Sequence, residues 1–325
     1  MTVEKQRPTT SVEADQHDSA YVALVEEHSH DDSAHWAFGT GFHDAMAGVD
    51  HAVPEAVDPA DLATYCLMLA DDALIMAQRT CEWCSRAPEL EEDVALANIG
   101  LDLLGQARLL LTRAAEVHPA VRPTGMAAHV PDEDALAYFR NENEFRNVRL
   151  VEIDCGPGPG GDFASTIARM LVFSSWRLAL FERLVASRDP VLAAVAAKGV
   201  KELAYHRDHA AQWTVRLGDG TEVSHQRMQA GLERVWPFLE ELFTPHPVEL
   251  RLAEAGVAVD PAALRADVNA VLDQVLTAGG LSRPEIGPLA LVDGRGGRDG
   301  IHTEALGYVL AEMQHIARSH PEGVW

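Results

Sequence analysis

The chain has 325 residues, 47% of them hydrophobic, and carries a formal charge of -24 with a pI near 4.9. Its apolar content suffices for one large core or two modest ones, while its acidity repels phosphate backbones and so excludes nucleic acid as an expected partner. Apolar stretches such as Val94 to Leu111 are interrupted by Asn98, Asp102, Gln106 and Arg108, short of the roughly 18 uncharged residues of a membrane span, and Met1 to Asp18 holds no apolar leader core. The expectation is a cytoplasmic chain with no membrane partner.

Residues 1–57 carry six of the fifteen histidines, many acidic residues and no sustained apolar period, so they read as an acidic, His-rich arm that is flexible or wraps a partner. Residues 58–325 read as one helical domain. After Val57-Asp58-Pro59, Leu69, Ala73, Met76 and Ala77 place an apolar stripe on a helix over 62–83, which Arg86-Ala87-Pro88 ends. Acidic residues from Glu89 to Asp93 suit the first turn of a second helix, whose face is marked by Val94, Ala97, Leu101, Leu104 and Leu111 and which runs to about Val117.

Pro131-Asp132-Glu133-Asp134 starts a further helix, and the Gly-Pro run 156–161 is an irregular connection. Asp162 caps a third long helix that ends at Ser187 to Pro190; a fourth spans 191–217; Thr221 caps a fifth over 222–243, bent near Pro237. The glycines of 294–300 lead into a last helix over 301–318. With no run of alternating strand-type residues, the fold class is all-α, a four-helix bundle with additional helices.

Four cysteines, Cys66, Cys81, Cys84 and Cys155, are too few for a disulfide framework in a chain of this length. Cys81 and Cys84 form a CxxC whose helical spacing reads first as two small buried residues and, as the rival reading, as a thiol redox pair.

A bundle of this kind can hold two metal ions between a Glu from each of two helices and a Glu-x-x-His from each of the other two, because residues three apart share a face. Asp102 to Gln106 and Glu202 to His206 are the segments where such motifs would lie. The same segments carry a resemblance. Leu69 to Leu74, Ala87 to Asp93, Ala97 to Arg108, Asn143 to Asn147, Trp213 to Glu222, His302-Thr303-Glu304, Leu310 to Gln314 and the final Trp325 resemble the C subunits of the bacterial phenylacetyl-CoA ring epoxidases, over about residues 58–325.

That resemblance implies a ferritin-like fold and the role of a non-catalytic structural subunit in an oxygenase of phenylacetate degradation. It implies as partners the di-iron catalytic A subunit, the small B subunit and a reductase drawing on NAD(P)H through FAD and iron-sulfur, with no cofactor in this chain. Against the catalytic sibling's pattern, the Glu and His of the second helix fall on Leu103 and Gln106, those of the fourth on Leu203 and His206, and a third-helix carboxylate near Ser174. These vestigial positions imply no catalytic, cofactor-binding or metal-ligating residue. The alternative is an autonomous di-iron oxygenase with a shifted ligand set, Asp72, Asp102, Glu202 and His206, near His209. If no metal binds, Asp102, Glu202 and His206 are expected in ion pairs and hydrogen bonds, with Arg108 and Arg169 as partners.

Overall fold

The computed structural model describes residues 46–323. Nine α-helices lie among the described residues, with no strand: α1 (Pro59–Cys81), α2 (Leu90–Val117), α3 (Asp132–Tyr138), α4 (Phe163–Leu184), α5 (Pro190–Gly218), α6 (Glu222–Val235), α7 (Pro247–Glu254), α8 (Arg265–Ala278) and α9 (Glu304–Ser319). The helix starts follow their caps. Asp58 accepts from the Ala60 N–H ahead of Pro59, Asp162 from Ser165, Asp189 from Leu192 and Thr221 from Ser224.

Two helical hairpins, α1 with α2 and α4 with α5, pack together along α2 and α5, and α6 lies against α4. The central helices are buried on more than one face: nineteen of the twenty-two residues of α4 are buried, from Ala164 to Leu184. Helix α2 is different. By length and mean hydropathy, 1.4 over its best window, it could cross a membrane, yet Leu96, Ile99, Leu103, Ala107 and Leu110 point into the bundle core.

The helix capped by Thr221 stops at Val235, and two short 3-10 turns, Trp236–Phe238 and Glu240–Phe243, carry the chain past Pro237, which cannot supply a helical N–H. Helices α7 and α8 have no counterpart in the sequence reading. Residues 46–57, assigned to the arm, correct that boundary: Met46, Val49 and Val53 pack against the core and Val57 is buried in it. His51 accepts at its carbonyl oxygen from the buried Arg113 at 2.7 Å and hydrogen-bonds Glu116 through its ring. The rest of the arm, including His17, His28, His30, His35 and His43, lies outside the described residues, as does Trp325.

The glycine-rich segment before α9 is held closely against the 143–147 loop. A Cβ on Gly297 would sit 2.0 Å from the Asn147 carbonyl oxygen, and Gly300 adopts a left-handed φ of 78° beside the Asn143 carbonyl. This contact brings Arg298 under the bundle, where it reaches α1.

Candidate functional site

Two of the buried polar systems among the described residues bear on the expected site. The first joins α1 to the loops beneath it. Asp71, fully buried, takes Arg140 in a two-pronged ion pair and accepts from the Arg146 N–H at 2.8 Å. Asp72, also fully buried, accepts from the Val148 N–H at 2.8 Å and from both terminal nitrogens of Arg298 at 3.0 and 2.9 Å. Arg298 donates further to the Met68 and Arg146 carbonyls. Burial opposes the charge on Arg298, but the Asp72 and Glu249 carboxylates hold its pKa above the ordinary value.

The second system lies between α2, α4 and α5, at the helices that carry the expected metal-ligand positions. Leu103 and Leu203 are 1% and 0% exposed, so each contributes about 2 kcal/mol of apolar burial where a metal centre would require a carboxylate. Gln106 is buried and bridges opposite charges: its amide nitrogen donates to Glu202 at 2.9 Å, and its amide oxygen accepts from Nε of Arg177 at 3.1 Å. Arg177 is fully buried, stacks over the Phe181 ring at 4.5 Å, and has no acceptor for its two terminal nitrogens among the described residues. Burial lowers its pKa to about 10, against the pull of Asp72, so the guanidinium stays charged at neutral pH.

His206 turns its Nε2 to Asp102 at 3.0 Å, and His209 turns its own to Glu92 at 2.8 Å. Ser174 donates to the Met170 carbonyl within its own helix. The shifted ligand set is thus divided: Asp102 and Glu202 have separate partners, and Asp72 is committed to Arg298. The expected arginine partners need correction as well. Arg108 reaches outward to Glu133, and Arg169 donates to the Ile153 carbonyl; the cations near these groups are the buried Arg177 and, 3.7 Å from Glu202, the exposed Lys198, both of which the sequence reading misses. A guanidinium inside an apolar α4 gives no sequence signal of its partner, since Gln106 lies 71 residues away.

The donor set does not fit a pair of iron ions. Two leucines and an amide replace the anionic oxygens and imidazole that would offset metal charge, and a fixed cation already sits among the remaining carboxylates. Among the described residues, no cluster of three His, Cys, Asp or Glu side chains is arranged to hold a metal.

Burial raises the pKa of Glu202 above its ordinary 4.5, against the hydrogen bond from Gln106 and the nearby Lys198. The unfolded carboxyl therefore ionises first. This group's contribution to stability is greatest below pH 4.5 and declines as pH rises through the folded value. Glu202→Gln keeps an acceptor for Gln106 and removes that decline. The unfolding free energy from urea titration should change by less than about 1 kcal/mol at neutral pH, with a flatter dependence between acid and neutral solution than the parent.

The sequence matches known proteins over the same residues. A family model described as phenylacetic acid catabolic protein matches residues 46–325. The C subunit of 1,2-phenylacetyl-CoA epoxidase from Escherichia coli (strain K12) is 46% identical over 264 residues, covering 81% of this chain and 99% of its own length.

Proposed function

The chain belongs to the phenylacetic acid catabolic protein family, and from that premise we propose that it is a non-catalytic structural subunit of a cytoplasmic, multicomponent ring-1,2-phenylacetyl-CoA epoxidase. In this reading it pairs with the di-iron catalytic A subunit, alongside the small B subunit and a reductase that supplies electrons from NAD(P)H through FAD and iron-sulfur. Its own contribution is a rigid helical wall.

The observation that supports this most is the Glu202–Gln106–Arg177 bridge. It places an amide at a ligand position, where Gln106 satisfies the half-buried Glu202 carboxylate and the buried Arg177 guanidinium together without any metal. His206 is the imidazole left at a ligand position, and it is occupied by Asp102.

A complex reconstituted with His206→Ala should assemble and retain the parent's epoxidation rate within about twofold, since the buried imidazole it removes pairs with the part-exposed Asp102. A complex that assembles normally but loses activity by orders of magnitude would contradict the structural role and favour the autonomous oxygenase.

A further inference from the structure

Cys81 and Cys84 are the chemistry-bearing pair that the scaffold role does not use. Their reading as small buried residues is wrong: both are exposed, whereas Cys66 and Cys155 are buried. Cys81 is the last residue of α1, and the Cys84 N–H donates to its carbonyl oxygen at 3.0 Å, so a single turn carries both. The Cys84 sulfur is close enough to disfavour the Cys81 thiolate.

The corner is built to keep them there. Between them, Trp83 is buried and its indole N–H donates to Thr166 on α4 at 2.9 Å, while Glu82 pairs with Arg79 at 2.8 Å. Just beyond, Ser85 has a left-handed φ of 66°, held by Asp93 of α2, whose carboxylate accepts from its N–H at 2.7 Å. On α2, Gly100 makes room for the Cys81 sulfur, which lies 2.7 Å from where a Cβ would stand. Both sulfurs line an open pocket of about 660 Å³ together with Arg79, Arg86 and Glu312.

We propose that Cys81 and Cys84 form a peroxide-responsive dithiol whose oxidation closes an intramolecular disulfide across the α1–α2 corner. Side chains three apart in a helical turn have Cβ atoms about 5–6 Å apart, and a disulfide needs about 3.8 Å, so the 82–86 turn tightens by about 1–2 Å. The Cys81 sulfur is packed against Gly100, and burial pushes its thiol up, so Cys84 is the attacking sulfur. Its thiolate takes one oxygen from hydrogen peroxide as the O–O bond breaks, giving a sulfenic acid and one water. Cys81 then attacks that sulfur, the S–S bond forms, and a second water leaves; two thiols lose two electrons and the peroxide gains them.

The test treats the reduced full chain with a modest excess of hydrogen peroxide and reads intact mass, peptide map and thiol count. The expected product has lost two hydrogens, links the Cys81 and Cys84 peptides, keeps two alkylatable thiols after unfolding, and returns to the starting mass with dithiothreitol. Cys81→Ser should stop at a sulfenic acid on Cys84, trapped by dimedone. A parent chain that keeps all four thiols alkylatable, or gains oxygen at these positions without the cross-link, overturns the proposal. A dimedone adduct on Cys81 in Cys84→Ser, with none on Cys84 in Cys81→Ser, overturns the assigned order of attack.

Discussion

Asp72→Ala is expected to cost the folded chain about 3–5 kcal/mol, as breaking a buried ion pair does. The carboxylate is fully buried and neutralises Arg298, which is itself buried and close enough to Arg177 for their like charges to oppose one another. Without Asp72 the two buried guanidinium groups lose the carboxylate that acts on both, and the Val148 N–H loses its acceptor. The pair also ties three distant segments together: α1, the 146–148 loop and the glycine-rich turn before α9. Denaturant unfolding followed by circular dichroism should show the midpoint fall sharply. Asp72→Asn should fall less, since it keeps an oxygen for Val148. Equal losses in the two variants would mean that the charge on Asp72 is not what matters.

Gln106→Leu is expected to cost about 2–4 kcal/mol, although leucine is apolar and of similar size. The amide oxygen is the acceptor that Arg177 finds among the described residues, so its removal strands a buried charge, and Glu202 loses its donor as well. The effect should be strongly coupled. Gln106→Leu combined with Arg177→Met removes the stranded charge together with its acceptor and should recover much of the loss, which a double-mutant cycle measures directly. Additive losses would mean that Gln106 acts by packing alone. Leu103→Met, which conserves volume in the adjacent turn, should cost less than about 1.5 kcal/mol and serves as the packing control.

The long helices are legible in the sequence because their local signals agree. Asp58-Pro59, Asp162 and Thr221 are caps, the apolar period of α1 and α2 is sustained, and Pro237 interrupts the helix after Thr221 where its missing N–H requires. Helices α7 and α8 are not, because eight and fourteen residues with a narrow buried face leave a short pattern, with only Val268, Leu272 and Leu276 marking α8.

At the site, the apolar residues at positions 103 and 203 and the amide at 106 can be read directly, since they need only identity and spacing. The pairings cannot. Arg177 meets Gln106 across 71 residues and Arg298 meets Asp72 across 226, and nothing local to an arginine records its distant partner. Cys81 and Cys84 are misjudged for a related reason: helical spacing assigns a face, but both stand at a helix end, where the chain turns out to solvent.

Metal content separates a scaffold from a metalloenzyme most directly. The folded full-length chain, incubated with ferrous iron and oxygen and then freed of loosely bound ions, is expected to hold far less than one iron per polypeptide and to show no di-iron absorption band. Two irons per chain with that band, lost in His206→Ala or Glu202→Gln, would contradict the structural role and assign the oxygen chemistry to this polypeptide.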